Sequence, residues 1–172
     1  MIDQHHGKVY IKGEDVYSLN NNDLAIFRRR NVGLIYQFYN LIPILNVEEN
    51  ISLPVLLDDK EVNQARLQEI IKTLGLEKRV KHLPSELSGG QQQRVSIGRS
   101  LINNPAIILA DEPTGNLDSK NSEEILELLK YSNKKYHQTL IMITHDLEIA
   151  KQADRMIKIQ DGKIFSDEEK IK

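Results

Sequence analysis

Three runs of apolar, β-prone residues constrain the architecture more tightly than any other feature of the chain. They are "NVGLIY" (Asn31–Tyr36), "AIILA" (Ala106–Ala110) and "LIMIT" (Leu140–Thr144). Each is short and continuously apolar, without the alternation of a strand that keeps one face wet. Helical segments separate them. Apolar strands alternating with helices predict an α/β chain with a mostly parallel sheet covered on both faces.

The remaining segments fill in around that sheet. "GKVYIKG" (Gly7–Gly13) alternates between glycines and reads as a short strand. Asp23 reads as the cap of a short helix, Leu24–Arg30, and Arg28, Arg29 and Arg30 form a solvated basic end suited to a helix C-terminus. "NVEENISLPVLL" keeps helical spacing up to Pro54. "EVNQARLQEIIKTLG" predicts an amphipathic helix with Val62, Ala65, Leu67, Ile70, Ile71 and Leu74 facing inward and Gly75 as its stop. The stretch 38–103 therefore reads as a helical subdomain inserted into a core made of 1–37 and 104–172. Further on come a long helix from Ser119 to about Lys135, a short helix from Asp146, and two strands, "RMIKI" and "KIFS", about an Asp161-Gly162 turn. The charged tail after Ser166 is expected to be frayed or helical.

Composition excludes several classes. Charged residues make up 28% of the 172 residues and the formal charge is -2. Neither sign dominates, which argues against a basic nucleic-acid face. The chain has no cysteine, so disulfide and thiolate chemistry are out. No stretch approaches the ~18 apolar residues of a membrane-spanning helix, and "MIDQHHGKVYIKG" lacks the apolar run of a signal peptide. The expectation is a soluble, cytoplasmic chain that a partner must anchor if it works at a membrane.

The three apolar runs deliver polar residues at one edge of one sheet. "NVGLIY" leads to Gln37, "AIILA" to Asp111 and Glu112, and "LIMIT" to His145. Ligands of open α/β sheets bind beyond the carboxyl ends of the strands. Taken singly, each residue has a bland reading: a strand-edge histidine, a helix cap, a surface amide. Together they suit a site for a metal and a phosphate. Asp111 suits Mg²⁺, a hard cation that takes few protein carboxylates and keeps water and phosphate oxygens. Glu112 can polarise an attacking water. His145 can hydrogen-bond a terminal phosphate, and Gln37 can reach the metal or the water. Phosphoryl transfer asks mainly for such positioning and charge stabilisation.

A second anion-seeking feature lies at "LSGGQQQR" (Leu87–Arg94), which opens a helix at Ser88 running to about Asn103. Helix-start amides attract anions, and glycine lets the backbone approach one closely. A plain serine N-cap accounts for Ser88, whereas two glycines in a first turn lower helix stability by about 1 kcal/mol each.

These residues carry a resemblance. The chain resembles the nucleotide-binding subunit of ATP-binding cassette (ABC) transporters. The signature is "LSGGQQQR", the Walker B run "AIILADE" (Ala106–Glu112), the D-loop "GNLD" (Gly115–Asp118), the switch histidine lies in "ITHD" (Ile143–Asp146), and the Q-loop glutamine is Gln37. "YQFYNLIPILNVEENISLP" and "DEPTGNLD" look like the branch of lipoprotein release, macrolide efflux and antimicrobial-peptide export. The resemblance implies a P-loop (RecA-like) α/β fold with a helical subdomain, and a head-to-tail pair of cassettes sandwiching ATP and Mg²⁺. It implies that Asp111 and Gln37 serve the metal and that Glu112 is the general base. It places His145 at the γ-phosphate and Gln37 at the coupling to a transmembrane permease. Ser88, Gly89, Gly90 and Gln91 would grip ATP held by a partner ATPase subunit, and Asp118 would bridge the dimer. It also implies a peripheral place on the cytoplasmic face of the membrane, and no nucleic-acid partner. Phe38, Tyr39 and Leu41 would face the permease, or form subdomain core.

One family element has no match. A phosphate loop needs G-x-x-x-x-G-K-[ST], and the Gly-Lys pairs at Gly7 and Gly162 are followed by Val9 and Ile164. The aromatic residue that stacks on adenine in this family has no counterpart either, and Met1 aligns just after the helix that follows the phosphate loop. The expectation is an N-terminally truncated domain, inactive alone, with weak Mg-ATP affinity, unpaired sheet edges and a marginal monomer. The alternative is a non-catalytic partner that lends its signature helix to a complete cassette. A DNA-repair or translation ATPase fits less well, because those resemble longer chains with coiled-coil insertions or a second cassette.

Overall fold

The computed structural model describes residues 7–170. Met1, used above to place the start of the chain within the family pattern, lies outside them. Two compact units emerge, one up to Met142 and one from Ile143.

The first unit opens with a hairpin of two-residue strands, β1 (Tyr10–Ile11) and β2 (Glu14–Asp15), paired antiparallel. The longer strand expected over Gly7–Gly13 stops at Ile11 because the chain turns at Lys12-Gly13. Helix α1 (Asn21–Asn31) starts earlier than expected. Asn20, not Asp23, is its cap, accepting from the Asn22 and Asp23 amides at 3.0 Å. Asp23 sits in the first turn, where its carboxylate favours the positive end of the helix.

Of the basic end of α1, Arg28 is exposed as expected, whereas Arg29 and Arg30 are engaged. Arg30 Nε lies 2.8 Å from Asp58 and Arg29 3.3 Å, and the Asp58 side chain is only 5% exposed. Arg29 also donates to the Leu57 carbonyl. These contacts tie α1 to the end of α2 (Val47–Leu56). Asn46 and Glu49 form a reciprocal capping box at the start of α2. That helix runs through Pro54 instead of ending there. The proline falls in the last turn, where it removes the donor to the Asn50 carbonyl, and the helical bonding resumes past it, with Leu57 N bonding Leu53 O at 2.9 Å.

Helix α3 (Gln64–Thr73) buries Leu67, Ile70 and Ile71, but Ala65 points to solvent and Val62 is half-buried. Helix α4 (Gly89–Leu101) is the centre of the core. It buries Val95, Ile97 and Leu101 and packs against α2, α3 and strand β3 (Val32–Ile35). Burial of such side chains is worth about 1.5–3 kcal/mol each. A 3₁₀ turn at Pro84–Glu86 precedes it.

Strand β3 pairs in parallel with β4 (Ile107–Asp111), Val32 opposite Ile107 and Ile35 opposite Ala110. Helix α5 (Ser119–Tyr136) follows, then β5 (Thr139–Ile143), in the strand order β3-β4-β5. Strand β4 lies between β3 and β5, which are the two edges of this sheet among the described residues. One expectation needs correction. The sheet is not covered on both faces: Ile35, Ile108 and Ala110 are buried, whereas Leu34, Leu109 and Ile141 are 43, 37 and 49% exposed.

The second unit contains a short helix α6 (Leu147–Ala150), capped by Asp146, and an antiparallel hairpin of β6 (Arg155–Gln160) and β7 (Lys163–Glu169). The charged tail is therefore strand as far as Glu169. The cross-strand pair Arg155–Asp167, with contacts of 2.8 and 2.6 Å, joins it to β6. No helix of the described residues is long and apolar enough to cross a membrane.

Candidate nucleotide site

Asp111 is the last residue of β4 and is exposed; Glu112, next in line, is half-buried. Glu112 has φ +44, a left-handed backbone that is uncommon outside glycine and clusters at functional sites. The chain then turns tightly, with Gly115 N bonding Glu112 O and Leu117 N bonding Thr114 O, both at 3.0 Å. Pro113 and Thr114 are buried beneath this turn.

The structure brings Gln37 to this turn. Asn116 Nδ2 donates to the Gln37 carbonyl at 3.0 Å, and Gln37 Nε2 lies 3.4 Å from Asn116 Oδ1. A β-carbon on Gly115 would stand 2.8 Å from Gln37 Nε2, so the amide can lie there only over a glycine. Gln37 thus faces the D-loop segment. Asp118, in that same segment, caps α5 by accepting from the Asn121 backbone at 2.9 Å and its side chain at 2.6 Å. Those Asn121 hydrogen bonds hold the Asp118 carboxyl below its ordinary range.

At the signature, Ser88 caps α4 in a capping box. Gln91 N donates to Ser88 Oγ at 3.3 Å and Ser88 N to Gln91 Oε1 at 3.0 Å. The first amides of a helix have no intrahelical acceptor, so Gly89 and Gly90 carry donors of the kind anions seek. The two glycines also have a packing reason that the sequence did not disclose. β-Carbons on Gly89 and Gly90 would come within 2.8 Å of Tyr39 Oη and 2.7 Å of Asn121 Oδ1.

Three further residues shape the site. Arg99 donates to the Asn40 and Tyr39 carbonyls at 2.6 and 3.0 Å, and burial lowers its pKa. Asn50, fully buried, bonds the loop at Ile42–Asn46. Gln93, also fully buried, reaches Pro113 O at 2.7 Å. None of them stood out in the sequence; for Asn50 and Gln93 the available sign was an amide at an inward helix position, and Arg99 has no local sign.

Among the described residues no group of three or more His, Asp or Glu side chains could hold a metal. That donor set does not suit a protein-caged ion. It does suit Mg²⁺, which Asp111 could hold with water and phosphate oxygens completing the shell. His145 is exposed and belongs to the second unit, two residues after β5.

The parallel β3–β4 pair with its flanking helices is of the mixed α/β class, and the acidic strand end and capped, glycine-started helix suit a nucleotide phosphate. The sequence model of the ABC transporter family matches residues 1–115. The chain is 48% identical over 160 residues to the uncharacterized ABC transporter ATP-binding protein MJ1508 of Methanocaldococcus jannaschii, a match covering 92% of this chain and 71% of that one. It is 42% identical to the lipoprotein-releasing system ATP-binding protein LolD of Cytophaga hutchinsonii, covering 92% of this chain and 74% of the relative. Against the macrolide export ATP-binding/permease protein MacB of Bdellovibrio bacteriovorus it is 46% identical, covering 94% of this chain but 25% of that much longer protein. The solved dimeric ATP-binding cassette MJ0796, bound to ADP and Pi, superposes with a TM-score of 0.82 at 40% identity, covering 95% of this chain and 73% of the other. The chain belongs to the ABC transporter family, as an ATPase domain.

Proposed function

We propose that this chain acts as the ATP-binding subunit of an exporter or lipoprotein-release system. In this reading, ATP binding and hydrolysis in a nucleotide-sandwich dimer drive a membrane permease on the cytoplasmic face of the membrane. The observation that carries the reading is the exposed Ser88 cap at the start of α4, in a chain 40% identical to a cassette solved as a dimer with ADP and Pi. The amides of Gly89 and Gly90, with Ser88 and Gln91, would grip the terminal phosphate of an ATP presented by a second ATPase subunit. Asp111 and Gln37 would hold the magnesium ion, whose charge offsets that of the phosphates. Glu112 would take the proton of the attacking water. A γ-phosphate contact is assigned to His145 and a bridging role in the dimer to Asp118. Phe38 and Ile44, 70 and 82% exposed around the Gln37 loop, offer the permease an apolar contact.

These residues contain no G-x-x-x-x-G-K-[ST] pattern. A second reading is that the chain lends its signature to a complete cassette and does not hydrolyse ATP itself; the presence of Glu112 and His145 favours the first, since a lending chain would not need them. Both readings require the same contact and share one test. ATP turnover is measured in an assembly of this chain with a complete ABC cassette. Ser88→Arg should lower it by about 100-fold or more, the scale of losing preorganised donors at a phosphate. Turnover that is indifferent to Ser88→Arg would refute the shared contact.

A further inference from the structure

Gln93 is an amide where the helix pattern calls for an apolar side chain. It lies on the inner face of α4, fully buried, two residues before the core residue Val95. Its Nε2 donates to Pro113 O at 2.7 Å and lies 3.5 Å from Tyr36 O. These two carbonyls flank the proposed site residues: Pro113 follows Glu112, and Tyr36 precedes Gln37. The loops carrying Glu112 and Gln37 are also joined to each other, through the Gln37–Asn116 pair. Gln93 is thus the corner that fastens both loops to the signature helix.

Packing alone does not call for this amide. Its Oε1 is buried without a hydrogen-bond partner, and an unsatisfied buried acceptor carries a penalty that an apolar side chain of the same length avoids. We propose that Gln93 is a positioning residue that couples the signature helix to the backbone carrying Glu112 and Gln37. A phosphate gripped at the start of α4 would then be registered in this chain's own carboxylate loop. The coupling rests on the function proposed above; the fastening itself does not.

The test is amide hydrogen exchange on the full chain, wild type and Gln93→Met, free and then mixed with a complete ABC cassette and Mg-ATP. In the free chain, Gln93→Met should speed exchange in both 36–39 and 112–117 by about tenfold, the scale of one lost hydrogen bond. Exchange along 95–101 should change less than about twofold. Unchanged exchange in the two loops, or equal acceleration along α4, overturns the fastening. In the mixture, the wild type should gain protection at 112–117 and Gln93→Met should not; equal protection in both overturns the coupling. If the wild type gains no protection at 88–91 either, the proposed function fails, and the free-chain result still decides the fastening. Should Gln93→Met not fold, NMR of the wild type decides it. The Gln93 side-chain amide protons should exchange at least about tenfold more slowly than those of the exposed Gln64; exchange at the solvent rate overturns the proposal.

Discussion

Asn121 Oδ1 stands 2.7 Å from the place a β-carbon on Gly90 would take. The Asn121 side chain cannot swing away freely, because its Nδ2 is bound to Asp118 at 2.6 Å. Alanine at Gly90 therefore meets two opposing effects. Helix propensity favours it by about 1 kcal/mol, whereas overpacking costs about 1–3 kcal/mol. Gly90→Ala is expected to destabilise the chain by about 1 kcal/mol net. In an Asn121→Ala background the same change should become neutral or stabilising. Urea denaturation of the four chains of this cycle measures the coupling; a Gly90→Ala effect independent of Asn121 would contradict it.

The local part of the fold was legible and the long-range part was not. Strands β3 and β4 and helix α4 announce themselves through unbroken apolar runs, a serine cap and a following proline, all within one window of sequence. The partner of Arg29 and Arg30 is Asp58, 28 residues on from Arg30, and nothing near the arginines points to it. The strand at 166–169 pairs with β6 across the hairpin, where Asp167 meets Arg155, so its charge run by itself reads as a frayed or helical tail. At the site, residue types and their order single out Ser88, Asp111 and Glu112 as candidates. The left-handed backbone of Glu112 and the links made by Gln93 and Arg99 arise only when separate segments meet. By sequence alone Gly89 and Gly90 leave room for an anion, yet Tyr39 and Asn121 already require that room.

Asn50 holds the loop that follows Gln37. Its Oδ1 accepts from Ile42 N at 2.8 Å, and its Nδ2 donates to the Ile42, Leu45 and Asn46 carbonyls at 3.1, 2.7 and 3.1 Å. Removing the amide strands part-buried backbone groups that water cannot easily reach. Asn50→Ala is expected to cost about 2–3 kcal/mol, lowering the thermal midpoint by roughly 5–10 °C. Asn50→Leu should fare no better, because the same backbone groups lose their partner. A leucine variant as stable as the wild type would show that the loop finds other partners.

Asp58 sets an acid-side prediction. Hydrogen bonds from Arg30 and then Lys60 lower its pKa from 3.8 to about 2. A carboxyl held below its unfolded value adds stability above that value, and the contribution fades as pH falls through the folded pKa. Its share is thus fully present above pH 4 and lost on acidification from about 4 toward about 2. Asp58→Asn should lower stability at neutral pH and make the denaturation midpoint less dependent on pH across that window. An acid limb with the same slope in both chains would remove Asp58 from the account.

Glu112 offers a test of strain that needs no nucleotide. At φ +44 its backbone occupies the left-handed region, which costs a side-chain-bearing residue about 1–2 kcal/mol and glycine almost nothing. Comparing Glu112→Ala with Glu112→Gly isolates that cost, because both remove the carboxylate and whatever it touches. At a right-handed helical position glycine is the worse of the two by about 0.5–1 kcal/mol. Here the order should invert, with Glu112→Gly more stable than Glu112→Ala by about 1 kcal/mol. The check is a pair of urea transitions with equal slopes and separated midpoints. If alanine proves equal or better, the turn after β4 relaxes to an ordinary backbone once the carboxylate is gone. The side chain, and not the surrounding fold, would then be what holds Glu112 in its conformation.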